Sequence, residues 1–211
     1  MAVVADLRTA HTADLDPADL KAARALLDEV FNGEVTESDW EHALGGMHAL
    51  VWDGPTLIGH GSVIQRRLLH QGRALRAGYV EAVAVRADRQ GEGHGAAVMG
   101  ALERVLRGAY DIGALGSTDE GAGFYAARGW KLWRGPSSAL TPAGVRRTPD
   151  DDGCLYVFEL AVPLDLDGGL TCDWRDGDVW QFRPAAARRR TPSPGRAQPW
   201  SGDRACRRGP R

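Results

Sequence analysis

The sequence predicts a mixed α/β fold, an α+β arrangement in which one mixed sheet carries helices on both faces. Three observations point there. Apolar segments flanking Asp53-Gly54-Pro55 and Gln71-Gly72 read as successive hairpin strands. Downstream the pattern becomes strand, helix, strand, helix, strand. A length of 211 residues, 43% of them hydrophobic and 26% charged, suits one domain with a sizeable core.

The elements follow in order. Residues 8–12 form a short first strand. Asp16 as N-cap and Pro17 in the first turn open a helix through residue 31, with Leu20, Ala23, Leu26, Leu27 and Val30 as its apolar stripe. A break at 33–36 precedes a short helix that stops at Gly45-Gly46. Residues 47–52 and 56–69 pair as a hairpin, and 73–85 returns as a long strand. Residues 96–110 form a helix with Val98, Leu102, Val105 and Leu106 on one face. A buried strand at 112–117, a short helix at 119–128 ended by Gly129, and a strand at 130–133 come next. Pro136, Pro142, Pro149 and Asp150-Asp151-Asp152 mark 135–153 as a loop. Residues 154–162 are expected to be the last strand, and 168–180 an irregular acidic closing segment. Residues 1–180 therefore read as one domain. Residues 181–211, rich in Arg and Pro and without periodicity, read as a disordered basic tail.

Composition narrows the function. No apolar run approaches the roughly 20 residues of a membrane helix, and the N-terminus lacks the basic start and apolar stretch of a secretory signal. The cysteines, Cys154, Cys172 and Cys206, have no CxxC spacing, which argues against a disulfide framework or a bound metal and for a reducing, cytoplasmic setting. Nine of the 26 Lys and Arg residues, but only one of the 28 Asp and Glu residues, lie beyond Trp180. The main domain is acidic. That does not suit nucleic acid but would attract a polycationic small molecule, unless the acidity serves solubility alone.

The most informative stretch is 78–95. Tyr79-Val80-Glu81-Ala82-Val83-Ala84-Val85 is an apolar strand with one carboxylate, followed by Gln90-Gly91-Glu92-Gly93-His94-Gly95 and a helix. A strand feeding a glycine-rich loop and a helix N-terminus presents backbone N–H groups to a phosphate. The loop is neither a Walker loop nor a clean dinucleotide fingerprint. Glu81 stands where an acid–base group would sit, although a strand glutamate can equally face solvent or pair with an arginine.

Gln90-x-x-Gly93-x-Gly95 after a long antiparallel strand resembles the pyrophosphate motif of the GNAT superfamily of N-acetyltransferases. Longer segments are similar to the aminoglycoside 2'-N-acetyltransferases of mycobacteria and related actinobacteria. These are Asp39-Trp40-Glu41-His42, Gln65-Arg66-Arg67-Leu68, residues 78–88, Arg107-Gly108-Ala109-Tyr110, residues 148–153 and Cys172-Asp173-Trp174-Arg175-x-Gly177-Asp178-Val179-Trp180. The resemblance spans about residues 8–180. It implies the GNAT acyl-CoA N-acyltransferase fold with a central, mostly antiparallel sheet. It also implies acetyl-CoA as cosubstrate, a cationic aminoglycoside as acceptor, antibiotic resistance and a homodimer.

The same resemblance assigns roles. Glu81 takes the proton of the attacking amine, directly or through water. Tyr125 protonates the departing thiolate, its alternative being a core tyrosine of a short helix. The Val83 N–H serves the oxyanion. Val83, Ala84 and Val85 line the pantetheine, and Gln90, Gly91, Glu92, Gly93, His94 and Gly95 cradle the pyrophosphate. Substrate contacts are expected at Glu34, Asp39, Glu81, Ala82, Gly116, Ser117, Asp151, Asp178 and Trp180. Trp180 is taken as an aromatic wall of the sugar site rather than a packing residue. Asp150 and Asp152 read as solvated or loop-capping. His42, His48, His60, His70 and His94 have no ligand spacing and read as ordinary core or surface residues. With no activated Cys or Ser evident, transfer is expected to be direct.

The sequence also departs from the pattern. The family pattern closes at the Trp matching Trp180, whose terminal carboxylate lies at the substrate site, whereas here the sequence runs on to Arg211. Glu34 replaces an Asp, Ala82 a Gly, and Gly116 a Ser. The basic tail reads either as an extension without a role or as arginines that fold over the acidic domain and mimic the substrate. Acetylation of another amine, such as a cell-wall precursor or a polyamine, and non-catalytic drug or coenzyme binding are the alternative functions.

Overall fold

In a computed structural model the described residues are 5–181. The expectation of a disordered tail falls, beyond Gln181, outside them. In chain order the elements are β1 (Asp6–His11), α1 (Pro17–Val30), α2 (Glu37–His42), β2 (Met47–Asp53), β3 (Thr56–His70), β4 (Arg73–Val85), α3 (His94–Ala109), β5 (Ile112–Gly116), α4 (Asp119–Ala127), β6 (Lys131–Leu132), β7 (Ser137–Thr141), β8 (Gly144–Arg147), β9 (Leu155–Glu159) and β10 (Leu170–Asp173).

One ten-stranded sheet runs β6-β9-β5-β4-β3-β10-β7-β8, with β1 and β2 joining at β3. Only the β4–β5 and β10–β7 pairs are parallel. Strand β3 is long enough to fork the sheet. Its first half pairs with β2, and its last three residues pair with β10. Alternation in β2 divides the core between the two faces. Leu50 packs with Ala23, Leu26 and Leu27 of α1, while Ala49 and Val51 pack with Val98, Met99 and Leu102 of α3. Each of these large side chains is essentially fully buried, and each contributes about 1.5–3 kcal/mol. Helix α2 starts on a capping box: the Thr36 hydroxyl accepts from the Asp39 N–H, and the Asp39 carboxylate accepts from the Thr36 N–H.

Two expectations are corrected. The segment 135–153 is not a loop, because β7 and β8 form a hairpin within it. Ser137 at its start donates through both N–H and hydroxyl to Asp152, which also pairs with Arg147. The prolines lie at or outside the strand ends, so no ladder bond is lost to them. The strand at 154–162 is also not the last. β10 forms inside the segment expected to be irregular, parallel to β7.

The sheet is incomplete at one place. β4 pairs with β5 only from Ala77 to Tyr79, opposite Ile112 to Ala114. Beyond that, β4 continues to Val85 and β5 to Gly116 without pairing. On its other side β4 slips register against β3 between His60 and Ser62. Ala82 sits in this bulge with φ +53°, a left-handed conformation uncommon for a residue with a Cβ. The bulge turns β4 away from β5, and a cleft opens between them.

Candidate active site

Two cavities occupy the cleft and share Val83, Gly121 and Tyr125 as a common wall. The first, about 200 Å³, is lined by Phe31, by Val80 to Val83 of β4, and by Gly116, Ser117 and Thr118 beyond β5. The second, about 560 Å³, follows Val83 to Val85 and then the glycine loop to Ala96, with Phe124 opposite.

The second cavity has the features of an anion cradle. Gly93 takes φ +90° and is the N-cap of α3, with no side chain capping the helix. A Cβ on Gly91 or Gly93 would meet nothing within 4 Å, so the loop faces open space. The uncapped first turn of a 16-residue helix carries N–H groups and the positive end of the helix dipole. Gln90, Gly91, Gly93, His94 and Gly95 line this cavity. Glu92 does not; its carboxylate pairs with Arg89 and bonds His94 on the exposed side of the loop. The residues therefore fit a pyrophosphate at the loop and an extended chain along β4.

The first cavity holds the groups suited to proton transfer. Glu81 lines it and is 3% exposed. Its Oε1 accepts from Arg175 Nη1 at 2.5 Å. Burial pushes the Glu81 carboxyl above its ordinary range, while Arg175 opposes that shift. Tyr125 is packed against Phe124, Trp130 and Tyr156, and burial pushes its phenol up to about 12. It therefore stays protonated at neutral pH. Behind Glu81 lies a charged cluster. Arg66, 3% exposed, donates to Asp173 Oδ1 at 2.7 Å, to the Val179 carbonyl at 2.6 Å and to the Asp173 carbonyl at 2.9 Å, and its guanidinium lies 4.8 Å from the Tyr79 ring centre.

Of the expected substrate contacts, Glu81, Ala82, Gly116 and Ser117 line the first cavity, and Glu34, Asp39, Asp151, Asp178 and Trp180 do not. Glu34 is partly exposed just past α1, its N–H on the Phe31 carbonyl. Ser117 turns its hydroxyl onto the Thr118 carbonyl. Trp180 is fully buried in the core beside Leu68, Tyr79 and Trp133, with its indole N–H on Thr148 and its carbonyl accepting from the Tyr79 hydroxyl. Asp39 is fully buried and closes the α2 capping box through its carboxylate. Asp151 is also buried and accepts from Gln181, while Asp178 accepts from the N–H groups of Trp180 and Gln181.

These bonds explain Gly116. A Cβ there would lie 2.6 Å from Gln181 Cγ and 2.9 Å from the Trp180 carbonyl oxygen. The chain passing Trp180 lies against the end of β5, and only glycine leaves room for it.

Arg175, Arg66, His48 and His60 escaped the sequence reading. The two arginines enter the sequence reading only inside longer motifs and without a role, although an arginine amid the β3 apolar pattern is a usable signal. The histidines are linked to each other and to β4. His48 Nδ1 and His60 Nε2 are 3.0 Å apart, and His60 Nδ1 lies 3.0 Å from the Ala82 carbonyl oxygen.

The fold agrees with known proteins. The family described as Acetyltransferase (GNAT) domain matches residues 11–133. A curated Aminoglycoside 2'-N-acetyltransferase of Mycolicibacterium fortuitum is 54% identical over 177 residues, spanning 82% of this chain and 91% of that protein. Among solved structures, Escherichia coli ElaA superposes with TM-score 0.53 at 18% identity, covering 74% of this chain and 100% of its own. A GNAT family acetyltransferase from Brucella melitensis in complex with acetyl-CoA gives TM-score 0.53 at 15% identity, covering 78% and 94%. At these identities the two structures speak for the fold.

Proposed function

Because the chain belongs to the GNAT acetyltransferase family, in its aminoglycoside 2'-N-acetyltransferase branch, we propose that it acetylates the 2'-amino group of an aminoglycoside from acetyl-CoA. One observation carries the reading. A buried carboxylate and a protonated phenol line a single small cavity that opens, past Val83, onto a groove ending at an uncapped helix N-terminus.

Acetyl-CoA supplies an acetyl thioester. The loop 90–95 and the start of α3 hold its pyrophosphate, and Val83 to Val85 align the chain between phosphate and thioester. Glu81 removes the proton from the acceptor ammonium, directly or through water, since only the neutral amine attacks. Its raised pKa brings the base closer to neutral pH, while Arg175 favours the ionised form against burial. The Val83 N–H donates to the acetyl oxygen as negative charge gathers there. Tyr125 gives its proton to the departing sulfur, and its elevated pKa means that the proton is present to give. The acidity of residues 1–180 favours a polycationic acceptor.

The reading includes antibiotic inactivation by a cytoplasmic homodimer. Cys154 and Cys172, both free, suit a reducing compartment, and sedimentation tests the dimer. The decisive experiment is intact-mass detection of acetyl transfer to tobramycin, beside an analogue with a 2'-hydroxyl and a linear polyamine. The expected outcome is one added acetyl on tobramycin alone. No product from any 2'-amino aminoglycoside overturns the proposal, and preferential polyamine acetylation reassigns the acceptor. A chain ending at Trp180, run in parallel, reports what the following residues do.

A further inference from the structure

Three contacts, the last two buried, connect the residue after β1 to the bulge in β4. Thr12 Oγ1 is 2.8 Å from His48 Nε2, His48 Nδ1 is 3.0 Å from His60 Nε2, and His60 Nδ1 is 3.0 Å from the Ala82 carbonyl oxygen. Both histidines are fully buried. A carbonyl only accepts, so His60 Nδ1 carries a proton and donates. His60 Nε2 then accepts from His48 Nδ1–H, and His48 Nε2 accepts from the Thr12 hydroxyl. The Thr12 oxygen in turn accepts from the N–H groups of Gly45 and Gly46 at 2.9 and 3.2 Å. The Gly46 carbonyl also lies within reach of the Thr12 hydroxyl, at 3.2 Å, but His48 Nε2 is nearer, and with the Thr12 proton there the donors run toward Ala82. Burial pushes both imidazoles down, to about 3 for His48 and about 4 for His60, so both are neutral at pH 7, as this chain of donors requires.

The acceptor at the end of this chain belongs to the peptide group between Ala82 and Val83. That bond is trans, as all described peptide bonds are. Its C=O points toward His60 on β3, so its N–H, that of Val83, points to the opposite edge, into the cleft between β4 and β5. Neither Ala82 nor Val83 has a register partner in β3 or β5. A side chain therefore holds this peptide where a ladder does not. A hydrogen bond to the carbonyl also draws charge through the amide and makes the N–H a stronger donor.

We infer that His60, backed by His48 and Thr12, is a positioning residue that aims and polarises the Val83 N–H as the donor to the reacting acetyl oxygen. This rests on the acetyl-transfer reading above, but one of its tests does not.

His60→Leu removes the donor, whereas His60→Asn keeps an N–H near the Nδ1 position. Steady-state kinetics with tobramycin, calorimetry with coenzyme A, and the ¹H and ¹⁵N shifts of the Val83 amide are measured together. For His60→Leu we expect kcat to fall about tenfold, coenzyme A affinity to hold, and the Val83 amide proton to move upfield. His60→Asn restores most of kcat and of the shift. His48→Ala gives the same changes at smaller size and serves if His60→Leu does not fold. A folded His60→Leu with wild-type kcat and an unmoved Val83 amide overturns the inference. So does a fall in kcat matched by an equal loss of coenzyme affinity with no amide shift, which is what a merely structural role produces. If wild type acetylates no aminoglycoside, the functional reading fails, while the amide shift still decides whether His60 polarises this peptide.

Discussion

Glu81 and Ala82 are neighbours on β4, yet their surroundings are opposite. Glu81 is enclosed by charge: Arg175 is bonded to its carboxylate, with Arg66 and Asp178 within electrostatic reach. The Ala82 carbonyl is met by neutral groups, a histidine pair whose hydrogen bonds run in one direction. In the proposed reaction the charged side holds a side chain whose ionisation changes. The neutral side holds a backbone group that must not move. A buried charge needs compensation but can be tuned by it, whereas a buried neutral network fixes geometry at little electrostatic cost.

The largest expected effect breaks the charged side. Glu81→Gln should lower kcat at neutral pH by about 10²–10⁴-fold. The deficit should narrow as pH rises and the acceptor amine loses its proton unaided. A pH–rate profile with the wild-type shape refutes the role of Glu81. The next test addresses the neutral side. His42, His48 and His60 have pKa values lowered to about 4, 3 and 4, against 6.5 for the free side chain. The unfolded chain takes up these protons first. Stability from the neutral imidazoles is thus complete above pH 6.5 and lost as pH falls through 4 and, for His48, 3, on the order of 3 kcal/mol each for the fully buried His48 and His60 and less for His42. Thermal unfolding between pH 7 and pH 4 measures it, and a flat melting temperature across that window contradicts it. Glu81 has the opposite sign, since its raised pKa makes ionisation a cost that grows as pH rises above 4.5.

Smaller effects sharpen the contrast. Gly116→Ser places a Cβ against the Trp180 backbone and the Gln181 side chain, and should cost about 1–3 kcal/mol in denaturant unfolding. An unchanged midpoint would mean that the 180–181 segment yields freely. Arg175→Gln leaves Glu81 buried without its cation, and the acid limb of kcat/KM should move up by about one pH unit or more. A limb that stays in place detaches Arg175 from the ionisation of Glu81. The smallest change is expected from Ala82→Gly. Relief at φ +53° is offset by a more flexible unfolded chain and a lost buried methyl, so stability should shift by less than about 1 kcal/mol. A large loss would show that the Ala82 methyl itself supports the bulge.

Much of the fold is legible locally. Alternation and turn residues delimit β2, β3 and β4 to within a residue, because the period of two and the Asp-Gly and Gln-Gly turns act over a few positions. The β7–β8 hairpin is not legible, since three prolines and a run of acids mimic a loop and the pairing depends on Asp152 reaching back to Ser137. In the site, Glu81, Tyr125 and the 90–95 loop are conspicuous as residue types in a recognisable order. The surroundings of Trp180 are not legible, since nothing local reports that Tyr79 and Thr148 enclose it.

The sequence by itself determined the succession of elements from β1 to β6, the single carboxylate in β4 and the glycine loop at a helix start, all set by residue type and spacing within one element. Only the tertiary structure decided what those groups face. Arg175 reaches Glu81 across 94 residues, His60 reaches the Ala82 carbonyl across 22, and Trp180 and Gln181 lie against Gly116. Local periodicity reports which side of a strand is buried, but not which distant charge or donor arrives there. That is set by how β3 forks and β4 bends, and these depend on the packing of the whole sheet.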